Sequence, residues 1–103
     1  MARLQLNPAP TFTAKVGIPV PGAEAAQVEF TFKHRTRTAL STWLAGGKDR
    51  ADVDAIMDMC TGWDLDEAFT RENVSTLVEN YIGAPAVLVE FYYTELGKRK
   101  LGN

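Results

Sequence analysis

Alternation of apolar and polar residues in the first third of the chain constrains the fold more than any other feature of the sequence. Two runs, "PTFTAKVGIPV" and "QVEFTFKHR", place every second residue on one side of an extended chain. The apolar positions of these runs are Phe12, Ala14, Val16, Ile18, Val28, Phe30 and Phe32. Pro19, Pro21 and Gly22 lie between the runs, so the joint is a turn of several residues. Because two strands alone are marginal in water, their apolar face needs covering helices.

The remaining chain changes to helical spacing. The pattern predicts helices from about Thr36 to Ala45, from a cap at Asp49 to Gly62, after a cap at Thr70, and from near Pro85. The apolar positions of the first three are Leu40, Trp43, Leu44, Val53, Ile56, Met57, Cys60, Val74, Leu77, Val78 and Tyr81. We therefore predict an α+β fold, with an N-terminal two-stranded β-hairpin followed by a bundle of about four α-helices. The expected organisation is a single domain over 1–103, with the hairpin in 11–35, the helices in 36–96 and a flexible basic tail in 97–103.

The last predicted helix, "AVLVEFYYTEL", is apolar on more than one face. Its apolar residues are Val87, Leu88, Val89, Phe91, Tyr92, Tyr93 and Leu96. In a chain of 103 residues such a helix is either central to the core or half of an interface. The pattern alone leaves both alternatives open.

Charge and cysteine content exclude several classes of protein. The net charge of -2 and pI of about 5.3 argue against a surface that follows nucleic-acid phosphates, although basic residues cluster in 33–37 and 98–100. The single cysteine, Cys60, cannot form an intramolecular disulfide, and no zinc-ligand spacing is present. No apolar run approaches the roughly 18 residues of a membrane span. We predict a soluble intracellular protein that binds neither nucleic acid nor membranes.

The connector "TGWDLDEAFTREN", residues 61–73, allows three interpretations: a metal loop, a carboxylate pair for catalysis, or a hinge. A calcium loop requires glycine at its sixth position, but the sixth residue from Asp64 is Phe69. A short exposed loop also lacks the burial that separates the pKa values of a catalytic pair. The hinge is favoured: Gly62 ends one helix, Trp63 and Phe69 fasten the connector to the core, and the acidic residues keep it solvated.

No arrangement of residues predicts an enzyme. His34 is the only histidine, and a triad would have to combine it with Ser41, Ser75 or Cys60, none of which lies in a nucleophile elbow. Five glycines each follow a helix pattern, namely Gly46, Gly47, Gly62, Gly83 and Gly97, and the sequence contains no phosphate-binding glycine-rich loop. We therefore predict no catalytic, cofactor-binding or metal-binding residues and no cofactor.

Several stretches together resemble the tail assembly chaperones of long-tailed bacteriophages and prophages. These stretches are "FKHRTRTALSTWL", "GWD" at 62–64, "EAF" at 67–69, "ENV" at 72–74 and "NYIGAP" before an aromatic C-terminal helix. The resemblance extends from about Val28 to the C-terminus, and the first hairpin fits less specifically.

The resemblance implies a non-enzymatic chaperone in the host bacterial cytoplasm that is absent from the mature virion. Such a protein binds the tape measure protein and keeps it soluble until tail tube subunits polymerise around it. Members of the family often self-associate, and a ribosomal frameshift often adds a domain that recruits the tail tube protein. Codons for Gly97 and Lys98 are compatible with a slippery site. A structural tail-completion or head-tail joining subunit is the alternative. A small nucleic-acid-associated protein that uses His34, Arg35, Arg37 and the basic tail is another.

A chaperone for a long amphipathic helix needs a shallow apolar groove with a polar rim. Methionine and aromatic side chains suit such a lining because they adapt their packing or provide large contact area. The candidates for partner binding or self-association are Met57, Trp63, Phe69, Tyr81, Phe91, Tyr92 and Tyr93, with Met59 as a further lining residue.

Overall fold

The structure of the protein is a computed structural model that describes residues 3–97. These residues form three strands and four α-helices, which confirms the α+β class. The strands are β1 (Thr11–Ile18), β2 (Ala26–Lys33) and β3 (Cys60–Trp63). The helices are α1 (Arg37–Ala45), α2 (Asp52–Met59), α3 (Arg71–Asn80) and α4 (Ala84–Gly97), with a 3-10 turn at Gly47–Asp49 between α1 and α2.

The sheet has the order β1-β2-β3 and is antiparallel throughout. In the predicted hairpin, Phe12 pairs with Phe32 and Val16 with Val28, so the apolar positions of both strands share a face. The turn between them contains Gly22 at φ +78°, a conformation that glycine adopts without steric cost. β1 is an edge strand, and Pro10 and Pro19 stand immediately before and after it.

A third strand corrects the prediction of a two-stranded hairpin. Trp63 pairs with Phe30 and Cys60 with Phe32, with a bulge between the two pairs. Asp64 prolongs this ladder, since its backbone N–H donates to the Glu29 carbonyl at 3.0 Å and its carboxylate accepts from the Glu29 N–H at 3.0 Å. The first part of the predicted hinge is therefore a strand. It escaped sequence reasoning because four residues are too few for a clear alternation.

Two threonines start helices as their positions suggest. The side-chain oxygens of Thr36 and Thr70 each accept a hydrogen bond, from the N–H of Ala39 and of Asn73, both at 3.1 Å. The predicted cap at Asp49 is wrong, because Asp49 lies in the 3-10 turn and α2 begins after Ala51.

The ends of two further elements differ from the prediction. α2 ends at Met59, not at Gly62, because the chain turns into β3. α4 begins at Ala84, as expected near Pro85, and continues to Gly97, where the predicted flexible tail was to begin. The rest of that tail, residues 98–103, lies outside the described part of the chain.

The core lies between the apolar face of the sheet and the helices α2 and α4. Phe32 is at its centre, with its ring 5.4 Å from Phe12, 5.8 Å from Phe91 and 5.6 Å from Tyr92, centroid to centroid. At the far end of the hairpin, a Cβ on Gly83 would lie 3.2 Å from Pro19 Cγ, so glycine permits the close approach of the α3–α4 junction. α4 contacts β1, α2 and α3, which explains why it is apolar on several sides.

Candidate functional site

An apolar cleft of about 330 Å³ lies between the sheet and α3. It exists because α3 packs mainly on α2 and α4 and does not close onto the sheet. We call it the sheet–α3 cleft. Its apolar lining consists of Ile18, Val20, Ala26, Val28, Phe30, Trp63, Leu65, Leu77 and Tyr81. Its polar lining consists of Glu67, Asn73, Thr76 and Asn80.

Trp63 forms one wall of the sheet–α3 cleft, and three contacts hold it there. Its ring lies edge-on to Phe69, with centroids 5.1 Å apart, and edge-on to Phe30 at 6.2 Å. Its indole N–H donates to the Glu67 carbonyl at 2.6 Å. Because fixed neighbours hold this half-buried ring, this wall of the cleft is pre-formed.

The predicted partner-binding residues do not form one surface. Trp63 and Tyr81 line the sheet–α3 cleft, and Phe69 supports Trp63 from behind. The other half-buried candidates, Met57 and Phe91, pack against the core. Tyr93, 56 % exposed, lies away from this cleft.

The structure corrects the prediction that Tyr92 belongs to a partner-binding surface. Its side chain is completely buried, and its hydroxyl donates to the Lys33 carbonyl at 2.6 Å and accepts from Arg35 Nη1 at 3.0 Å. Burial raises the pKa of this hydroxyl, and the hydrogen bond from Arg35 opposes that rise. Met59 is also completely buried. Neither residue can contact a partner in the folded chain, since both lie on the inward sides of their helices.

A second groove, the α1–α4 groove, holds Tyr93. It is lined by His34, Arg35, Thr36, Arg37, Leu40, Ser41, Leu44, Tyr93, Thr94, Leu96 and Gly97. Arg35 has a structural role there, because it also donates to the Asp58 carbonyl at 2.9 Å and lies over the Trp43 ring. Arg35, one of the basic residues suggested for nucleic-acid binding, is thus engaged in contacts within the fold.

Sequence reasoning missed several exposed or cleft-lining apolar residues. Leu65 and Leu77 line the sheet–α3 cleft, yet Leu65 lies in the acidic connector and Leu77 was assigned to the core. Leu4, Leu6 and Ile82 are more than four-fifths exposed. A count of apolar residues outside the periodic runs could have singled out Leu4, Leu6, Leu65 and Ile82. Leu77 lies within such a run, so this count would not have found it.

The side chains that could bind a metal ion or take part in catalysis do not form a cluster within residues 3–97. No group of three or more potential metal ligands occurs within residues 3–97. Asp64 takes part in the β2–β3 ladder, and His34 is exposed. Cys60 is buried, and burial raises the pKa of its thiol to about 12, so it is held as the unreactive thiol at neutral pH.

Raising the pH is expected to destabilise the protein through Cys60. An unfolded thiol ionises near pH 8.5, whereas the folded thiol keeps its proton to about pH 12. The unfolded state therefore loses protons first, and the free energy of unfolding falls as the pH rises above about 8.5. Urea titrations between about pH 8 and pH 9.5 measure the effect. The variant Cys60→Ala should show a smaller decrease, and equal slopes would contradict the prediction.

No helix within residues 3–97 has the length and apolar character needed to cross a membrane.

Comparison with known proteins identifies the family. No curated protein and no solved structure matches the chain. The family model described as phage tail assembly chaperone matches residues 1–103, the full length of the sequence. The chain therefore belongs to the phage tail assembly chaperone family.

Proposed function

We propose that this protein is a non-enzymatic chaperone that binds the phage tape measure protein and keeps it soluble during tail morphogenesis. The observation that carries the proposal is the sheet–α3 cleft, which combines an apolar floor with a polar rim in a member of this family. A long helical client presents apolar side chains at spacings of about i, i+3, i+4 and i+7, and a groove of this kind receives them.

The size of the cleft supports a shallow mode of binding. At about 330 Å³ it lies at the low end of the roughly 300–1,000 Å³ of small-molecule pockets, so it accepts a few side chains but no folded domain. Trp63 and Tyr81 provide aromatic contact area, and Leu65, 38 % exposed, extends the apolar surface at the mouth. Many weak contacts of this type suit a client that must be released when the tail tube forms.

The proposal extends to the location, the oligomeric state and the further partners of the chaperone. The chaperone acts in the host bacterial cytoplasm as a homo-oligomer and is absent from the mature virion. A longer frameshifted form, if the gene encodes one, would bring the tail tube protein to the client.

Co-expression with the tape measure protein of the same phage tests the proposal. We expect the client to remain soluble and to co-purify with the intact chain. Thr76→Arg places a long charged side chain at the rim of the sheet–α3 cleft and should reduce co-purified client by about tenfold, the effect of losing roughly 1.4 kcal/mol of binding. Ser75→Arg is the matched control, since this exposed neighbour lies on α3 but outside the cleft lining.

Other outcomes would contradict the proposal. If the client precipitates although the chaperone is well expressed, the proposed chaperone function is contradicted. Presence of the chain in purified particles would favour a structural tail-completion or head-tail joining subunit. If Thr76→Arg and Ser75→Arg reduce the amount of co-purified client equally, the client binds elsewhere than in the sheet–α3 cleft.

A further inference from the structure

The α1–α4 groove is larger than the sheet–α3 cleft, and the proposed function makes no use of it. Its volume is about 850 Å³, against about 330 Å³ for the cleft. It opens between two helices because α1 is anchored by Trp43 and makes no extended contact with α4. Its apolar floor consists of Leu40 and Leu44, one turn apart on α1, and of Tyr93 and Leu96, one turn apart on α4. Leu44 and Tyr93 are exposed, so the fold leaves part of this floor in water.

The charge of the α1–α4 groove is positive. Although the chain has 13 acidic residues, none of those in the described part of the chain lines this groove. The side chains of His34 and Arg37 are exposed, and no hydrogen bond or ion pair within residues 3–97 involves either of them. Arg35 donates only to uncharged oxygens, the Asp58 carbonyl at 2.9 Å and the Tyr92 hydroxyl at 3.0 Å. No carboxylate therefore neutralises either guanidinium group of the groove.

Two other arginines show that this arrangement is particular to the groove. Arg50 pairs with Asp58 at 3.4 Å, and Arg71 pairs with Asp54. In the groove the two guanidinium groups repel each other, and a carboxylate supplied from outside would relieve that repulsion and accept charge-assisted hydrogen bonds. The groove thus combines an apolar floor with two cations that lack an anionic partner.

These properties decide which kind of molecule fits the groove. The sequence continues after Gly97 with Lys98, Arg99 and Lys100, so the chain's own next residues carry the same charge as the groove. Nucleic acid would match the charge but not a floor that includes three leucines, and the net charge of -2 opposes it. A space between two helices receives a third helix through apolar side chains at about i, i+3, i+4 and i+7.

We propose that the α1–α4 groove binds an acidic amphipathic helix of another protein. Its apolar side chains lie on the floor of Leu40, Leu44 and Tyr93, and its carboxylates accept hydrogen bonds from Arg35 and Arg37. The groove shares no lining residue with the sheet–α3 cleft. The proposal is therefore independent of the proposed function, and one chain can hold a partner in each place.

Fluorescence anisotropy with a labelled synthetic peptide tests this site on the intact protein. The peptide has about 18 residues, or five helical turns, with leucines at i, i+3, i+4 and i+7 and glutamates beside them. We expect a Kd below about 100 μM. A second peptide, with every glutamate replaced by glutamine, keeps the leucines and should bind at least about tenfold more weakly, because hydrogen bonds to charged groups are lost.

Matched variants locate the peptide on the protein. Arg37→Gln and Thr38→Glu lower the net charge equally, but only Arg37 lines the groove. Arg37→Gln should weaken binding about tenfold and Thr38→Glu much less. Tyr93→Ala should also cost about tenfold, whereas Ile82→Ala, which removes an exposed apolar side chain outside the groove, should have no effect. All four residues are exposed, so the fold should tolerate these changes.

Several results would overturn the proposal. A Kd above about 100 μM, equal affinity for the glutamine peptide, or equal losses with Arg37→Gln and Thr38→Glu would each show that the groove does not recognise acidic helices. Tighter binding of a single-stranded oligonucleotide that Arg37→Gln abolishes would assign the groove to nucleic acid. A change of oligomeric state in Tyr93→Ala without loss of peptide binding would assign it to a second copy. Thr76→Arg should bind the peptide like the unchanged chain, and a loss there would place the peptide in the sheet–α3 cleft.

Discussion

Replacing Phe32 with alanine is expected to lower the free energy of unfolding by about 3–5 kcal/mol, which is the usual cost of truncating a buried phenylalanine. Phe32 is completely buried and contacts the rings of Phe12, Phe91 and Tyr92. These rings come from β1 and α4, so the loss affects the junction of sheet and helix. A cavity would remain there because the backbone of a central strand cannot collapse to fill it.

Urea unfolding followed by circular dichroism measures the Phe32 effect, provided that the slope with urea stays constant. Phe12→Ala is the matched control, because Phe12 pairs with Phe32 but is half-buried on the edge strand. It should cost clearly less than Phe32→Ala. A loss below about 1 kcal/mol for Phe32→Ala would show that the aromatic cluster does not hold the sheet to α4.

Replacing Trp43 with alanine is expected to cost about 3–5 kcal/mol as well, through the attachment of α1. Two guanidinium groups lie over the Trp43 ring, with Arg35 Cζ 5.1 Å and Arg50 Cζ 4.3 Å from the ring centroid. Its indole N–H donates to Asp58 Oδ2 at 3.0 Å. Trp43 is the buried residue of α1, so its truncation removes the principal anchor of this helix.

Hydrogen exchange distinguishes local from global effects of the Trp43 substitution. Amides of α1 should lose protection first, while those of β2 should retain it until global unfolding. Leu44→Ala is the control, because Leu44 is the next residue of α1 and is 37 % exposed; its cost should stay below about 1 kcal/mol. Unchanged protection of α1 in Trp43→Ala would mean that other contacts hold the helix.

Local chemistry made much of the fold predictable from the sequence. The paired alternation gave β1 and β2, and the helix starts at Thr36 and Thr70 follow from side chains that satisfy backbone N–H groups. β3 was not predictable, because Cys60 continues the helical spacing of Ile56 while its backbone pairs with Phe32. Here tertiary pairing overrides a local pattern.

The candidate site was predictable only in part. Trp63 and Tyr81 were selected by residue type, and both line the cleft. Tyr92 was selected by the same criterion but is buried, since residue type does not specify which side of an apolar helix faces the sheet. The cleft itself depends on how far α3 stands from the sheet, a distance that no single segment encodes.

The prolines on either side of β1 have a consequence for how copies of this protein can coexist at high concentration. An edge strand presents unpaired backbone groups that can pair with the edge of another molecule and extend into fibrils. Pro10 and Pro19 have no N–H to donate, and Lys15 would bring like charges together if two β1 edges met. The protein can therefore be crowded with copies of itself while its sheets remain three strands wide.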